Sequence, residues 1–300
     1  MNNPETGLSV VIPCYNESGA IAETVKRLQA ALSPLEVKYE LIVVDDGSTD
    51  GTLEIVSNLP VRVLRNLVNS GYGFSLARGI EAAGYDTIAI IDADLTYHED
   101  DLVKLFEIYR TGFDMCVGVR ERENLNSTTF KAALRAIFAK TVSFICGEPV
   151  PDANSGLRIF SKALFVKNKA LLSKKFSFTT SLTISALFGG AQVGWIPISY
   201  LPRHGVTKVR LITDSVRTFM QIMRLVAVFN PLKIFTFFAS GVLVMAAGAI
   251  GISLYYHLTA GLMLGAELIA VSVLIVSLGL TTAVLQKGFE RLLSDKENRS

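Results

Sequence analysis

The sequence predicts an α/β domain with a doubly wound parallel sheet, followed by two helices that cross a membrane. Up to about residue 231, short β-branched segments that end at turn or acidic residues alternate with helical segments. From residue 234 to residue 285 almost every residue is apolar. Half of the 300 residues are hydrophobic, which is more than a soluble protein of this length needs, so the change in composition predicts a domain boundary.

The predicted strands and helices alternate along the first domain. The strands are residues 8–12, 40–44, 87–91 and 115–119, and the helices are residues 21–32, 52–59, 72–83 and 99–110. Ser18 and Asp50 precede two of these helices and are typical capping residues. A doubly wound sheet binds its ligand beyond the carboxyl ends of the strands, so we expect the functional residues to lie there.

Two apolar segments near the end of the sequence are long enough to cross a hydrocarbon core of about 30 Å as helices. Residues 234–256 carry no charged side chain, and residues 266–285 carry only Glu267. The connector between them lacks Lys and Arg, whereas Lys and Arg flank the pair on both outer sides, which predicts that both termini face the cytoplasm. Two buried core helices of a soluble protein are the alternative, but such helices seldom lack a polar stripe over this length.

Composition argues against several kinds of partner and site. The formal net charge of +2 indicates neither a nucleic acid nor another polyanion as partner. Three cysteines without a C-x-x-C pair indicate neither a disulfide framework nor a zinc site, and they fit a reducing compartment. Residues 1–7 are polar and lead directly into a strand, so we expect no cleaved signal peptide.

The first motif, PCYNE, follows the first predicted strand. Pro13, Tyr15 and Glu17 offer an aromatic ring and a carboxylate that suit a nucleobase or a ribose. A loop that caps the next helix through Asn16 or Ser18 is the alternative, and the motif alone does not decide between them.

The second motif, DDGSTDGT, follows the second predicted strand. Its carboxylates at Asp45 and Asp46 can accept hydrogen bonds from base N–H groups or ribose hydroxyls. Capping of the next helix by Asp50 explains part of this motif, but it does not explain two adjacent acids at a strand end.

The third motif places Asp92 and Asp94 directly after the strand at residues 87–91. Residues i and i+2 of an extended chain point the same way, so both carboxylates can face one hard cation, Mg²⁺ or Mn²⁺. Such an ion would neutralise a diphosphate and stabilise the charge that develops as a nucleotide leaves. The segment NSGYG at residues 69–73 lacks the order of a P-loop, and we interpret it as a tight helix entry.

Taken in order, these motifs resemble the inverting family of nucleotide-sugar glycosyltransferases with the GT-A fold. The resemblance is closer to the polyprenol-phosphate branch, which includes dolichyl-phosphate mannose synthases, and it covers nearly the whole chain. The matching segments are VVIPCYNE (10–17), VVDDGSTDGT (43–52), DADL (92–95), DANSGLRIF (152–160) and PRHGVTKVR (202–210).

The resemblance implies a role for each motif. The nucleotide sugar would be bound by residues of the first three motifs, namely Pro13, Tyr15, Glu17, Asp45, Asp46, Ser48 and Asp92. Asp92 and Asp94 would bind the metal, and Asp152 with Ser155 and Arg158 would form the reacting centre on the acceptor side. Catalytic roles are expected for Asp94, Asp152 and Arg203.

Arg203 and Lys208 resemble the family's loop that closes over the diphosphate. A guanidinium can bind phosphate oxygens in a bidentate way, and an ammonium adds a point charge. Many relatives have Ser where this chain has Thr207, which keeps the hydroxyl. Surface cations near a membrane are the alternative interpretation.

Two basic amphipathic segments, residues 130–144 and 215–229, are predicted to lie on the bilayer surface, although either could instead pack on the sheet. They would bring a polyprenyl phosphate to the site, with Arg120, Arg122, Lys131 and Arg135 as candidate phosphate partners. A phosphate monoester has a second pKa of about 6, so Asp152 is expected to orient the acceptor more than to deprotonate it. Direct attack by the phosphate predicts inversion at the anomeric carbon.

Three alternatives to a polyprenyl-phosphate glycosyltransferase remain. A processive polysaccharide synthase is expected to have a Q-x-x-R-W motif and more spans, whereas the single tryptophan, Trp195, lies in the segment GWIP. An enzyme that glycosylates another membrane lipid and a non-catalytic membrane adaptor of glycan assembly are the other two. The motifs do not encode the hexose, the choice of UDP or GDP, the prenyl length or a homo-oligomeric state.

The predicted organisation has four parts. Residues 1–211 form a cytosolic catalytic domain, and residues 212–232 an amphipathic interfacial helix. Residues 233–287 form a two-span membrane anchor, and residues 288–300 a cytosolic tail.

Overall fold

The computed structural model describes residues 7–121, 129–175, 177–201 and 211–297, without the side chains of residues 129–135, 211–218 and 287–297. The chain divides into two units, residues 1–221 and residues 222–300. The division falls within one helix, α8 (Leu211–Phe229).

The first unit contains a seven-stranded sheet. The strands are β1 (Gly7–Cys14), β2 (Lys38–Asp45), β3 (Arg62–Arg65), β4 (Thr87–Ile90), β5 (Met115–Arg120), β6 (Arg158–Ser161) and β7 (Val193–Ile198). Their order across the sheet is β3-β2-β1-β4-β6-β5-β7. All neighbouring strands are parallel except that β6 runs antiparallel to β4 and β5. The α/β fold is confirmed, but the sheet is mixed and not wholly parallel.

Helices cover both faces of this sheet. Those that pack on it are α1 (Ile21–Leu32), α2 (Thr52–Ser57), α3 (Tyr72–Ala82), α4 (Glu99–Tyr109), α6 (Lys162–Asn168) and α7 (Phe178–Phe188). Two further helices in this part of the chain are α5 (Thr129–Cys146) and α8. The four helices predicted from the sequence are present with nearly the predicted bounds. Asp50 caps α2 in part, because its carboxylate accepts from the N–H of Thr52, the first residue of the helix, although Gly51 directly precedes α2. Ala20 precedes α1 and makes no side-chain cap.

Alternate residues of the central strands pack on opposite faces of the sheet, as the period of a strand requires. Val10 and Ile12 belong to the core with α1 and α4, whereas Val11 belongs to the core with α3 and α7. Helix α3 lies very close to β1, because a Cβ at Gly79 would lie 2.4 Å from Cγ1 of Val11. This packing fixes α3, and hence the loop that precedes it, against the sheet.

The second unit contains the end of α8 and two long helices, α9 (Pro231–Tyr256) and α10 (Thr259–Glu297). Residues 231–256 and 259–286 are long and apolar enough to cross a membrane, with mean hydropathies of 2.0 and 2.5. Glycines allow close approach of the two helices, since a Cβ at Gly265 would lie 2.3 Å from Ile250 and one at Gly279 would lie 2.5 Å from Phe235. Small residues at the contact and large apolar side chains outside it are typical of membrane helices.

Candidate active site

All the sequence motifs within the described residues meet at one edge of the sheet. This edge contains the carboxyl ends of the parallel strands β1 to β5 and β7, and the amino end of the antiparallel strand β6. The reversed direction of β6 explains why residues 152–157, which precede it, lie at the same edge as Asp92 and Asp94. This edge is where a doubly wound sheet binds its ligand.

The first two motifs form one connected surface. The N–H of Asn16 donates to Oγ of Ser48 (2.9 Å), and the N–H of Thr49 donates back to Oδ1 of Asn16 (2.8 Å). The N–H of Glu17 donates to Oγ1 of Thr52 (2.9 Å). Asn16 has a left-handed backbone (φ 51°), which asparagine tolerates better than most residues. The expected nucleotide-binding residues Tyr15, Glu17 and Ser48 therefore lie on preformed loops.

Asp50 holds the turn between these loops. Its carboxylate accepts from N–H and Oγ1 of Thr52 (3.1 and 2.5 Å) and from the N–H of Ser18 (3.1 Å). Burial by itself raises the pKa of Asp50, but the hydrogen bonds from Thr52 and Ser18 outweigh burial and lower that pKa to about 2. The residue is therefore a structural anion at neutral pH.

The two adjacent acids at the end of β2 differ in their surroundings. Asp46 accepts three hydrogen bonds of 2.8 Å, from Nδ2 of Asn66 and from the N–H groups of Ser70 and Gly71. Asp45 is fully buried, and its Oδ2 atom has no hydrogen-bond partner among the residues that the structure describes. Asp45 Oδ1 accepts from the N–H of Ser48 (3.3 Å), so this carboxylate supports the second motif from inside the fold. Asp46 shapes the loop before α3.

The third motif follows β4 and is held by its neighbours. The hydroxyl of Tyr72 donates to Oδ1 of Asp92 (2.9 Å), and the N–H and Oγ1 of Thr96 donate to Oδ1 of Asp94 (3.2 and 2.6 Å). Burial and the charge of Asp92 raise the pKa of Tyr72 well above its usual value, so the phenol keeps its proton and remains a donor. Leu95 adopts a left-handed backbone (φ 60°), an uncommon conformation that often marks functional sites.

Asp92 and Asp94 fit a hard divalent cation. The Asp92 carboxylate lies against Gly156, because a Cβ at this glycine would lie 2.5 Å from Oδ2 of Asp92. No cluster of three or more His, Cys, Asp and Glu side chains occurs in the part of the chain that the structure describes. Mg²⁺ and Mn²⁺ commonly bind through one or two carboxylates together with substrate phosphates, so two carboxylates are sufficient protein ligands.

The acceptor side contains an ion pair between two residues that the sequence assigned separately. Nε and Nη2 of Arg120 donate to the two carboxylate oxygens of Asp152, at 2.7 and 2.9 Å. Both side chains are mostly buried, with 20% and 14% of their surface exposed. This bidentate geometry is the strong form of the interaction. Because the guanidinium occupies both oxygens, Asp152 is suited to orient an acceptor more than to remove a proton.

Arg158 and Ser155 were expected on the acceptor side but have no exposed surface. The Arg158 guanidinium donates to the backbone oxygens of Ala153, Ser155 and Thr179 and to Oγ1 of Thr183. Burial lowers the pKa of Arg158 to about 10, which leaves it a cation at neutral pH. We therefore replace the expected acceptor contact of Arg158 with a positioning role, because its donors face the loop and α7. Within the described parts of the chain, the hydroxyl of Ser155 has no hydrogen-bond partner.

Several expected site residues cannot be placed. Arg122, Arg203 and Lys208 lie outside the described residues, and Lys131 and Arg135 lie on α5 at positions whose side chains are not described. Their phosphate-binding roles stay predictions. Conversely, no motif singled out Tyr97 and Tyr200, which contact Gly156 and Arg120, and Tyr72 was noted only as part of the helix entry at residues 69–73.

A family model described as "Glycosyl transferase family 2" matches residues 9–168, which contain both strand-end acid motifs and the 152–158 segment. The chain belongs to glycosyl transferase family 2. This match confirms the family resemblance drawn from the motifs.

Curated relatives of this family 2 chain are named for sugar transfer. The hexosyltransferase Agl6 of low-salt glycan biosynthesis in Haloferax volcanii is 32% identical over 70% of this chain and 51% of its own length. The undecaprenyl-phosphate 4-deoxy-4-formamido-L-arabinose transferase of Aeromonas hydrophila is 31% identical over 54% of this chain and 51% of its own. The chain thus spans about half the length of each of these two relatives.

Solved structures confirm the fold. Glucosyl-3-phosphoglycerate synthase from Mycobacterium tuberculosis, solved with Mn²⁺, UDP-glucose and glycerol 3-phosphate, has a TM-score of 0.60. It is 21% identical in sequence, and the match covers 73% of this chain and 79% of that chain. The family 2 chain therefore has a GT-A-like fold with two additional long apolar helices at its end.

Proposed function

We propose that this family 2 chain transfers a hexose from a UDP- or GDP-sugar to a polyprenyl phosphate, with inversion at the anomeric carbon. One observation carries the proposal. The strand-end carboxylate of Asp92 and the Arg120–Asp152 ion pair meet at the same segment, residues 152–158, and Asp94 lies two residues from Asp92. A site for a metal-bound diphosphate thus lies beside a site that contains a cation for an anionic acceptor.

The lipid nature of the acceptor is supported by two further findings. Two helices of the chain are long and apolar enough to cross a membrane, so a lipid substrate is available to it. The Aeromonas hydrophila relative is named for undecaprenyl phosphate, and two other relatives are named for dolichol phosphate and dodecaprenyl phosphate. We also propose, from the Lys and Arg distribution, that both termini face the cytoplasm.

The donor side begins at the nucleotide. Asp45 would support the nucleotide site from beneath, through the hydrogen bond that its carboxylate accepts from the N–H of Ser48, and the loops carrying Tyr15 and Glu17 are fixed by hydrogen bonds before any ligand binds. Asp92 and Asp94 would hold Mg²⁺ or Mn²⁺, which supplies Lewis-acid neutralisation of the diphosphate when bound. Tyr72 keeps the Asp92 carboxylate oriented.

On the acceptor side, the nucleophile is an oxygen of the lipid phosphate. This oxygen forms a bond to the anomeric carbon while the bond from that carbon to the diphosphate breaks, so the nucleoside diphosphate leaves and the configuration inverts. The phosphate is already largely ionised near neutral pH, with a second pKa of about 6, and no strong base is needed. The positive charge of Arg120 would attract the phosphate, and Asp152 holds Arg120 in place through the ion pair.

The test is transfer from a panel of radiolabelled UDP- and GDP-hexoses to undecaprenyl or dolichyl phosphate in membranes, with Mg²⁺ or Mn²⁺. We expect label from one donor to enter the organic phase. In Asp94→Asn the rate should fall by about a hundredfold or more, since a metal-binding charge is lost. Asp100→Asn is the matched control, because Asp100 is an exposed carboxylate on α4.

Other results would contradict the proposal in distinct ways. Label that appears only in ceramide or diacylglycerol would identify a different lipid acceptor. No transfer from any donor, with folded protein, would indicate a non-catalytic adaptor. Retained anomeric configuration, or a trapped sugar–enzyme intermediate, would exclude direct attack by the phosphate.

A further inference from the structure

Tyr97 contacts the segment that supports the metal-binding carboxylates. Its side chain is buried, and its hydroxyl accepts a hydrogen bond of 2.8 Å from the N–H of Gly156. Gly156 is the residue against which the Asp92 carboxylate lies. Any movement of Tyr97 therefore changes the surface that faces Asp92.

Tyr200 contacts both Tyr97 and Arg120. The rings of Tyr97 and Tyr200 meet edge to face, with centroids 5.3 Å apart, and the two residues form an antiparallel backbone bridge. Cζ of Arg120 lies 5.3 Å from the centroid of the Tyr200 ring. This distance is within the range of a cation–π interaction, which strengthens when the cation is largely shielded from water.

The backbone beside this pair joins the same two regions. The N–H of Leu201 donates to the carbonyl oxygen of Thr96 (2.8 Å), and Thr96 donates in turn to the carboxylate of Asp94. Asp92 is thus connected to Tyr97 through Gly156, and Asp94 is connected to it through Thr96, the residue before Tyr97.

We propose that Tyr97 and Tyr200 are positioning residues that couple the two sides of the reaction centre. Through Gly156 they fix the surface beside Asp92, and through the Tyr200 ring they fix Arg120. Arg120 in turn aligns Asp152. The alignment of the acceptor-side ion pair and that of the metal-side carboxylates therefore depend on each other. The inference rests on the proposed function for what the two sides bind, but not for the contacts themselves.

Electrostatics agree with this geometry. Burial alone lowers the pKa of Arg120, but Tyr97, Asp152 and Tyr200 together raise it above its usual value. Burial raises the pKa of Tyr97, so its phenol stays neutral. Tyr97 and Tyr200 thus place aromatic rings beside Arg120, which stays positively charged.

The experiment uses the full chain in lipid nanodiscs and compares Tyr200→Leu with Tyr200→Phe. Leucine removes the ring beneath Arg120, and we expect KM for polyprenyl phosphate to rise about tenfold. Phenylalanine keeps the ring and should restore KM to within about twofold of wild type. Tyr39→Leu is the matched control, because Tyr39 packs on the hydrophobic core from β2.

A double-mutant cycle tests the route of the effect. Once Arg120→Gln has removed the cation, Tyr200→Leu should raise KM no further, because the two residues act through one contact. Independent, additive effects of the two substitutions would overturn the proposal. Equal damage from Tyr200→Leu and Tyr200→Phe would also overturn it.

A second readout does not need turnover. Tyr97→Phe removes the acceptor for the Gly156 N–H, so hydrogen exchange in residues 153–157 should accelerate, and Mn²⁺ titrated with UDP or GDP should bind about fivefold more weakly. Unchanged exchange and unchanged Mn²⁺ affinity would overturn the coupling. If wild type transfers no sugar to any lipid, the proposed function fails, and these two measurements decide the coupling alone.

Discussion

The strand-end edge of the sheet has two halves that are held by different forces. The half that we propose binds the nucleotide, called the nucleotide half, comprises residues 14–18, 46–52 and 66–71. Side-chain oxygens of Asn16, Asp46 and Asp50 accept hydrogen bonds from its backbone N–H groups. The half that we propose carries out sugar transfer, called the transfer half, comprises residues 92–97, 120 and 152–158. It is held by the Arg120–Asp152 ion pair, the buried Arg158 and the tight contact at Gly156.

This difference separates folding from chemistry. In the nucleotide half each acceptor satisfies several donors, so the loops are formed before a ligand arrives, and removing an acceptor leaves N–H groups that are partly buried or exposed without their acceptor. In the transfer half the charged groups need a defined orientation toward the reacting atoms, and a small displacement lowers the rate. Substitutions in the first half should therefore mainly lower stability, and substitutions in the second should mainly lower kcat.

Gly156→Ala gives the largest expected effect and tests the transfer half. The added Cβ would lie 2.5 Å from Oδ2 and 3.0 Å from Cγ of Asp92, so the carboxylate has to move. We expect kcat to fall by about a hundredfold, since a misplacement of about 1 Å is sufficient for this. The thermal midpoint should change little, because a side-chain carboxylate can move without unfolding the sheet. Transfer assays and thermal unfolding of the same preparation check this.

The control for Gly156→Ala is Gly19→Ala. Gly19 has open space around it and a backbone that other residues adopt. An equal loss of kcat in both variants, or a large loss of stability in Gly156→Ala with normal kcat, would contradict the contrast between the halves.

Asp46→Asn tests the nucleotide half. Asp46 accepts from Asn66, Ser70 and Gly71, and an amide places N–H hydrogens where one of these donors points. We expect a loss of about 2 to 3 kcal/mol of unfolding free energy, because a buried donor loses a charged acceptor. The donor KM should rise, while kcat at saturating donor changes less than in Gly156→Ala. Asp100→Asn is again the control, and a stable Asp46→Asn with a collapsed kcat would refute the assignment.

Much of the fold and the acidic residues of the site follow from the sequence. Apolar periodicity predicted α1 with the bounds found, and strand-end position predicted Asp92 and Asp94. Strands β3, β6 and β7 were not predicted, because β3 and β6 each have only two apolar residues between polar ends and Pro197 interrupts β7.

The contacts between distant segments could not be predicted. Tyr97 and Tyr200 are far apart in the sequence, and neither stands in a motif, so only the tertiary structure brings them together at Arg120. The family resemblance assigned Arg158 to the reacting centre on the acceptor side. The antiparallel direction of β6, which the pattern did not reveal, directs its guanidinium into α7 and the loop instead.

Asp50→Asn has the smallest expected effect and sharpens the contrast through pH. The folded pKa of Asp50 is about 2, below its ordinary value of 3.8, so its carboxylate stabilises the fold fully above about pH 4. This contribution is lost as the pH falls through 3.8 toward 2. Because Asp50 is exposed, solvent screening limits it to about 1 kcal/mol or less.

The measurement is the difference in stability between wild type and Asp50→Asn from pH 6 to pH 2, followed by the emission of the single tryptophan, Trp195, which lies in β7. Wild type should be the more stable above pH 4, and the difference should shrink toward zero at pH 2, because protonated aspartic acid and asparagine are similar acceptors. Taking the difference in stability cancels the contributions of the other carboxylates, because these titrate in both proteins. A difference that stays constant with pH would show that the anion itself does not hold the nucleotide half, and that the neutral hydrogen bonds of Asn16, Ser48 and Thr52 are sufficient.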